Sequence, residues 1–370
     1  MLVHTMTPSA TLMSKMHAVL IKDGHGPIEN LYIGETDKPV PAKGEVLVKI
    51  VAFGLNRMDH YQRQGGYPIP PGASSILGVE FSGRVTELGE GVTRWVVGDE
   101  VFGLVGGGAY AEFINCDEGL LLKKPGHLSW VEAASIPENY ITAYQALVKY
   151  GEVKKGDHVL VHAGASGVGI AAIQIARELG AATVTATAST AEKLNWLRSI
   201  PNGATHTVNY RTEDFAAEVK KTTNGKGVDI VIDFVGQSHW AKNVESLAID
   251  GRMTILAAMS GNEVSTVNLG PIIYKRLRIQ GSTLRSRSVQ YQTELITSSI
   301  FRDIIDKVTG VNGGGPIRTY IHKVSIFFCS SDAVGHGHTI PQVYPWTEIQ
   351  SAHHEMADNK NSGKIIVEVR

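Results

Sequence analysis

The pattern of hydrophobic and polar positions changes near residue 130. Before it, short apolar stretches such as 46–52 are separated by glycine, aspartate and proline turns. This spacing is typical of an irregular β-rich domain. Helical spacing begins only at 130–150, and no helical periodicity of any length precedes it. The first part of the chain is therefore predicted to consist of strands.

Beyond residue 150, predicted strands alternate with predicted helices, which indicates βαβ units around a parallel sheet. A helix at 351–359 and a strand at 364–369 close the chain and are expected to return to the first domain. The fold class is therefore α/β, with a β-rich domain and a doubly wound parallel sheet. The predicted strands are 157–162, 182–188, 230–234, 253–257 and 278–284, and the predicted helices are 167–179, 191–199 and 242–249.

A glycine-rich turn joins the predicted strand 157–162 to the next helix. It has the sequence Gly164-Ala-Ser166-Gly167-Val168-Gly169. Glycine lets the backbone turn tightly and approach a pyrophosphate, and the free N–H groups at a helix N-terminus bind phosphate. The strand before and the helix after the turn favour a dinucleotide-binding site. The alternative is a tight turn in some other doubly wound protein.

The end of the second predicted strand of the sheet indicates which nicotinamide cofactor is bound. An enzyme specific for NAD places an acidic residue there, to bind the ribose hydroxyls. Here Ser189 and Thr190 offer hydroxyl groups and Lys193 adds a positive charge. Residues 182–191 contain no acidic residue, and the first one is Glu192. These groups suit a 2′-phosphate, so the sequence favours NADPH over NADH.

Composition narrows the class of protein further. The 370 residues predict two domains, and the formal net charge of −1 suggests neither a nucleic acid nor a membrane surface as partner. No apolar run reaches the length of a membrane span. The two cysteines, Cys116 and Cys329, argue against a disulfide framework and fit a reducing, cytoplasmic compartment. Without a C-x-x-C pair, no zinc site is expected.

Several motifs, in order along the chain, resemble one known family. They resemble the zinc-free quinone oxidoreductases of the medium-chain dehydrogenase/reductase superfamily, in the branch near zeta-crystallin. The motifs are Gly54-Leu-Asn56-Arg-Met-Asp59, Gln62-Arg-Gln-Gly-Gly-Tyr67-Pro, Ile76-Leu-Gly-Val-Glu-Phe-Ser-Gly, Ala134-Ser-Ile-Pro137-Glu-Asn-Tyr-Ile-Thr142, Trp240-Ala-Lys-Asn-Val, Gly281-Ser-Thr-Leu-Arg-Ser-Arg287 and Asn361-Ser-Gly-Lys364.

The resemblance implies a GroES-like catalytic domain at 16–139 and a Rossmann NADPH-binding domain at 140–285. Residues 286–370 would return to the catalytic domain, and residues 1–15 are expected to be a disordered extension. The family also implies hydride transfer from NADPH to quinones, and usually a homodimer.

The resemblance also implies site residues by position. Asn56, Tyr67 and Thr142 would face the nicotinamide and the substrate as the catalytic set. The cofactor-binding set comprises Gly164, Ser166, Gly167, Val168 and Gly169 at the pyrophosphate, Ser189, Thr190, Lys193 and Tyr210 at the 2′-phosphate, Phe234, Val235 and Gly236 along the adenosine and ribose, Ala257 and Met259 near the nicotinamide ribose, Ser282, Thr283 and Leu284 beside the ring, and Lys364 from the C-terminal return.

The expected chemistry needs no metal, because quinones are already electrophilic. The protein has to hold the nicotinamide against the acceptor and exclude water, and Tyr67 could donate a hydrogen bond to the acceptor oxygen. Two alternatives stay open. One is a reductase of activated C=C bonds in enoyl or alkenal substrates, and the other is a non-catalytic NADPH-binding protein.

Residues 324–342 have no counterpart in the family pattern. One hypothesis is an intron retained in frame, because a valine codon starts with GT and a glutamine codon can be CAG, which are plausible splice-site ends for Val324 and Gln342. The alternative is a genuine surface insertion, which an exposed loop tolerates at small entropic cost.

Overall fold

The computed structural model describes residues 14–310, 315–326 and 338–369. Its first part is rich in strands, as the sequence predicted. Most of these strands join two strands from the end of the chain, β18 Val343–Pro345 and β19 Ile366–Glu368, in one sheet of seven. Its order is β18-β19-β3-β4-β5-β7 with β6 also pairing β3, while β1 and β2 pair separately. The strands of this part are β1 Lys15–Ile21, β2 Leu31–Asp37, β3 Glu45–Gly54, β4 Glu80–Leu88, β5 Glu100–Leu104, β6 Phe113–Asp117 and β7 Leu121–Lys123.

The helix α1, Arg57–Arg63, lies in the part of the chain where no helix was predicted. A capping box starts it, in which Asn56 and Asp59 satisfy each other's backbone N–H groups. Its four buried residues are all polar or charged, namely Asp59, His60, Gln62 and Arg63. The expectation of strands alone was wrong here, because a helix with a polar buried face shows no hydrophobic period.

The second part contains a six-stranded sheet in the order β10-β9-β8-β11-β12-β13, with every pair parallel. This confirms the predicted α/β class. Its strands are β8 His158–Val161, β9 Thr183–Ala188, β10 His206–Asn209, β11 Val228–Asp233, β12 Leu247–Ile255 and β13 Arg278–Gly281.

Helices connect and cover these strands. The helical spacing predicted over 130–150 corresponds to α2 and α3 followed by a π-helical turn, Gln145–Tyr150. The helices are α2 Trp130–Ala134, α3 Pro137–Tyr144, α4 Gly167–Glu178, α5 Ala191–Ser199, α6 Phe215–Thr222, α7 Trp240–Ser246, α8 Gly270–Tyr274, α9 Val289–Thr297, α10 Ser299–Asp306 and α11 Ile349–Ala357.

Several boundaries differ from those predicted, including the start of β12, which lies at Leu247 instead of residue 253. The helix expected at 242–249 ends at Ser246, and Leu247 already begins β12, where it pairs with Val228 of β11. The strand expected at 278–284 stops at Gly281, so the next three residues form a loop. Apolar residues at an element's end fit either a helix face or a buried strand, so the pattern alone does not set such boundaries.

The end of the chain returns to the first sheet, as predicted. Strand β19 pairs antiparallel with β3, with Ile366 opposite Gly54, and β18 pairs with β19. Helices α9 and α10 instead add Leu295 and Phe301 to the same hydrophobic core as α3 and α4. The return is therefore made by the strands β18 Val343–Pro345 and β19 Ile366–Glu368, while β14 Val308–Thr309 and β15 Ile317–Arg318 form a separate pair.

The two atypical segments are described only in part. Residues 1–13 of the expected N-terminal extension lie outside the described residues. Lys15 does not belong to an extension, because it begins β1 and forms an ion pair with Asp37 at 2.7 Å.

In the atypical segment 324–342, strand β16 Lys323–Ile326 pairs antiparallel with β17 His338–Pro341. The amide of Gln342 donates to the carbonyl of His322 at 2.9 Å. The two ends of this hairpin therefore lie side by side.

Candidate active site at the junction of the two sheets

Most of the residues predicted to bind the cofactor lie where the carboxyl ends of the strands of the parallel sheet meet. Each group directly follows the C-terminal end of a strand, from β8 through β13. Hydrogen bonds join neighbouring segments here, such as the amide of Gly164, in the turn after β8, to the carbonyl of Thr187 on β9 at 2.9 Å, and the Met259 amide to the Phe234 carbonyl at 3.1 Å. Ligands of doubly wound folds bind at this end of the sheet. The structure therefore places the predicted groups, apart from Lys364 on the C-terminal return, at the same end of the sheet.

The phosphate-binding turn has the geometry that the sequence required. Ser166 is the N-cap of α4, and its hydroxyl accepts a hydrogen bond from the amide of Gly169 at 3.1 Å. A Cβ at Gly169 would overlap the carbonyl of Ala163, and a Cβ at Gly167 would overlap the side chain of Asn139. The glycines therefore let the turn pack closely against Ala163 and Asn139, and the N-terminus of the twelve-residue helix α4 offers N–H groups of the kind that bind phosphate.

The region predicted to bind the 2′-phosphate holds the cations Lys193 and Arg211, together with Glu192 and Glu355, which raise the pKa of Lys193 against the larger effect of burial. Thr190 caps α5 by accepting a hydrogen bond from the Lys193 amide at 3.3 Å. The ammonium of Lys193 donates to the carbonyls of Asn359 and Asn361 at 2.9 and 3.0 Å, and burial lowers its pKa. Arg211, which the sequence analysis missed, lies close enough to lower that pKa further. Its neighbour Tyr210 is 40% exposed.

The loop after β11 is fixed by a buried carboxylate. Asp233 ends the strand, and its carboxylate accepts hydrogen bonds from the amides of Val235 and Gly236 at 2.8 and 3.1 Å. Burial raises the pKa of Asp233 to about 6, although both amides oppose the shift. The predicted adenosine loop, Phe234 to Gly236, is thereby held in one conformation.

A buried set of polar side chains lies where the two sheets meet, and we call it the junction network. At its centre, the ammonium of Lys364 forms an ion pair with Glu80 and donates to the side-chain oxygens of Asn56 at 2.6 Å and Asn139 at 3.4 Å. The ammonium of Lys364 is thus bound by protein groups, whereas the resemblance implied that it would contact the cofactor. The junction network consists of Asn56, Glu80, Glu138, Asn139, Thr142 and Lys364.

Glu80 connects two of the predicted catalytic residues. One of its oxygens accepts a hydrogen bond from the Asn56 side-chain amide at 2.9 Å, and the other accepts from the backbone amide of Glu138 at 2.8 Å. The Glu138 carboxylate in turn accepts from the Thr142 hydroxyl at 3.4 Å. Asn56 on α1 and Thr142 on α3 therefore belong to one hydrogen-bonded chain.

Tyr67 lies beside the loop that follows β13. Its ring stands 5.5 Å from the guanidinium of Arg285, which also donates to the carbonyl of Gly106 at 2.7 Å. Burial raises the pKa of Tyr67, and the Glu138 carboxylate raises it further. Arg285 directly follows Leu284, so the predicted catalytic tyrosine and the predicted ring-binding loop are neighbours.

A second buried cluster lies behind Asn56. Asp59 accepts hydrogen bonds from the Asn56 amide at 2.7 Å and from the Tyr110 hydroxyl at 3.0 Å. The same hydroxyl lies 3.3 Å from Nε2 of His353. Burial raises the pKa of Asp59 to about 6 and lowers that of His353 well below its usual value.

Sequence reasoning missed Glu80, Glu138, Asn139 and Arg285. Each is less than a tenth exposed. The available signal was the placement of Glu80 and Glu138 within otherwise apolar stretches, since such buried acids need partners. Within the described part of the chain, no three His, Cys, Asp or Glu side chains are grouped to hold a metal ion.

Two family descriptions match the chain. "Alcohol dehydrogenase GroES-like domain" matches residues 42–126, and "Zinc-binding dehydrogenase" matches residues 167–298. The chain therefore belongs to the medium-chain dehydrogenase/reductase superfamily and is an oxidoreductase with a nicotinamide-dinucleotide-binding fold.

Its relatives include VAT-1 homologues and quinone oxidoreductases. The synaptic vesicle membrane protein VAT-1 homolog of Rattus norvegicus is 31% identical over 335 residues, which cover 89% of this chain and 78% of that protein. A quinone oxidoreductase of Pseudomonas syringae superposes with a TM-score of 0.77 at 29% identity, over 96% of this chain and 100% of that chain. A mycobacterial protein complexed with NADPH gives 0.78 at 29% identity, with the same coverage. Among the described residues, none of the helices is long and apolar enough to cross a membrane.

Proposed function

We propose that the chain is an NADPH-dependent reductase of quinones, including ortho-quinones, that works without a metal. The observation that carries the proposal is the hydrogen-bonded chain from Asn56 through Glu80 and Glu138 to Thr142, beside the phosphate-binding turn. It joins polar groups of β4 in the first sheet to those of α3, next to the turn where a dinucleotide would bind.

NADPH is favoured by the charges after β9 and β10. No acid stands at the end of β9, whereas Lys193 and Arg211 lie close enough to interact and would offer positive charge to a 2′-phosphate, with a hydroxyl from Tyr210. Charge-assisted hydrogen bonds to phosphate are among the strong ones in proteins. Ser189 and Thr190 contribute hydroxyl groups, although the Thr190 side chain already caps α5.

When bound, the reduced nicotinamide supplies a hydride. The chain's own groups then orient and polarise the acceptor. Tyr67 donates a hydrogen bond to the acceptor oxygen, where negative charge develops. Arg285 beside it favours that charge, and Lys364 is a positioning residue that holds the Asn56 side chain at 2.6 Å. Ser282, Thr283 and Leu284, which directly precede Arg285, would lie beside the nicotinamide ring.

We also expect a homodimer in the cytoplasm. The described edge of the parallel sheet at β13 has no further strand beside it, and α8 just before it exposes Leu269, Ile273 and Tyr274. An apolar surface next to a sheet edge suits pairing with a second copy.

The test compares acceptors and variants at one NADPH concentration. We expect an ortho-quinone to be reduced faster than a 2-alkenal, because a quinone needs less polarisation. Tyr67→Phe should lower kcat by about tenfold or more, while Tyr32→Phe, at a tyrosine that is 48% exposed, should not change it. Faster reduction of the alkenal would favour the double-bond reductase, and tight NADPH binding without turnover would favour a binding protein.

A further inference from the structure

Three carboxyl groups are buried together at the junction. Asp59 and Glu80 have no exposed surface, and Glu138 has 5%. Two buried cations, Lys364 and Arg285, act on this group of acids. A buried charge is costly unless it is paired. Three carboxyls facing two cations therefore predict that one carboxyl keeps its proton near neutral pH.

Two of the three carboxyls are well supplied with donors. Asp59 accepts on Oδ2 from the Asn56 amide at 2.7 Å and from the Tyr110 hydroxyl at 3.0 Å, while its buried Oδ1 has no partner among the described residues. Glu80 pairs with Lys364 and accepts from the Asn56 side-chain amide at 2.9 Å. Hydrogen bonds and a cation favour the ionised form of a carboxyl, so these two are expected to be the carboxylates.

Of the three carboxyls, Glu138 receives the fewest hydrogen bonds. Its Oε1 accepts one long hydrogen bond, from the Thr142 hydroxyl at 3.4 Å, and its buried Oε2 has no partner among the described residues. A proton on this carboxyl removes the cost of an unpaired buried charge. When the proton is on Oε1, the 3.4 Å contact is donated by Glu138 to the Thr142 oxygen, and the Thr142 proton is free for another acceptor.

We propose that Glu138 is the proton store of the active site and that the Thr142 hydroxyl passes its proton to the acceptor. This inference rests on the proposed function and adds the source of its proton. The acceptor gains a hydride with its electron pair from the reduced nicotinamide. The O–H bond of Thr142 breaks as its proton goes to the acceptor oxygen, and the proton of Glu138 moves from Oε1 to the Thr142 oxygen. Glu138 is left as a carboxylate and is reprotonated from water after the product leaves.

The surroundings of Glu138 suit this task. Burial raises the pKa of Glu138 to about 7, and Glu80 on β4 and Asp59 on α1 act in the same direction, while Lys364 opposes them. Tyr67 and Arg285 also lie close enough to interact with it. A donor works best when its pKa is near the working pH. Above about pH 7 the store empties, so reduction should slow.

The experiment measures the single-turnover rate of NADPH oxidation against pH, in H₂O and D₂O, with an ortho-quinone and with a 2-alkenal. In the wild-type chain the rate should fall about tenfold per pH unit above pH 7. Glu138→Gln should be about 100-fold slower at pH 6.5, with a flat profile, no solvent isotope effect and unchanged NADPH affinity. The control Glu90→Gln removes a carboxyl whose side chain is 83% exposed and should behave as wild type.

Two further measurements separate proton transfer from a structural defect. Thr142→Val should reproduce the slow, flat profile of Glu138→Gln, and Thr142→Ser, which keeps the hydroxyl, should restore the wild-type profile. Infrared difference spectra of the chain without substrate should show a protonated carboxyl that titrates near pH 7 and is missing in Glu138→Gln.

The outcomes distinguish the two proposals. Turnover in which Glu138→Gln keeps the wild-type pH profile and solvent isotope effect overturns the proton store alone. Absence of the infrared signal in the wild-type chain also overturns it, whatever the activity. A wild-type chain that reduces neither acceptor contradicts the proposed function, and with it the delivery of a proton to an acceptor.

Discussion

The buried ion pair between Lys364 and Glu80 should be a main determinant of stability. Lys364 on the C-terminal return is 4% exposed and also donates to Asn56 and Asn139, and Glu80 is fully buried. Lys364→Met removes the cation but leaves the carboxylate in place. Breaking a buried pair in this way costs about 3–5 kcal/mol, because the remaining charge has no compensation.

A double-mutant cycle tests the assignment of this loss to the pair. Glu80→Gln alone leaves the ammonium of Lys364 with neutral acceptors and should also be costly. The double variant removes both charges, and its glutamine can still accept from Asn56, so its loss should be smaller than the sum of the two. We expect a coupling of about 2 kcal/mol or more.

The assay is urea unfolding followed by tryptophan fluorescence, with the free energy extrapolated to water. The control is Lys220→Met, which breaks the half-exposed pair Lys220–Glu245 and should cost only a small fraction of the Lys364→Met loss. The reasoning is refuted if Lys364→Met costs as little as this surface control, or if the two single losses simply add.

Three other predictions concern the cofactor, pH and the hairpin. Lys193→Glu should raise the Kd for NADPH by roughly tenfold or more, since a hydrogen bond to a charged group contributes about 1.5–3 kcal/mol; Lys221→Glu on α6 is the matched control, and equal effects in a fluorescence titration would contradict the assigned site. Burial raises the pKa of Glu138 from 4.5 to about 7, so the folded chain holds this proton more tightly than the unfolded chain. The free energy of unfolding should therefore be highest below pH 4.5 and fall by about 3 kcal/mol as the pH rises through about 7. Glu138→Gln should flatten this decline in urea unfolding from pH 5 to 8, and an unchanged slope would speak against a raised pKa. Deleting 324–342 should leave the Kd for NADPH unchanged, because His322 and Gln342 already lie side by side; a chain that loses NADPH binding would show that the hairpin supports the site.

The sheet edge that holds the cofactor was predictable because its signals are local. The strands β8 and β11, which precede two of the binding loops, are largely apolar runs, and the turn from Gly164 to Gly169 carries its glycines within six residues. The helix α1 was missed because its buried side chains are polar. Strand β10 and helix α6 were also not predicted, and their short apolar patterns did not stand out.

The junction network was predicted only in part, because its contacts join distant parts of the chain. Asn56 and Lys364 are 308 residues apart, and Asn56 and Glu80 are 24 apart. The resemblance supplied Asn56, Thr142 and Lys364 as separate positions, but no local pattern shows that Glu80 joins them. The proton on Glu138 follows only from the number of donors that each carboxyl receives, which requires the fold.

The central claim is that the chain reduces quinones with NADPH. The direct test is the initial rate at which the purified chain oxidises NADPH with an ortho-quinone as acceptor, with NADH in parallel and a chelator present throughout. The account predicts turnover that prefers NADPH and is unaffected by the chelator. No turnover with either cofactor, or turnover that prefers NADH or is abolished by the chelator, would contradict it.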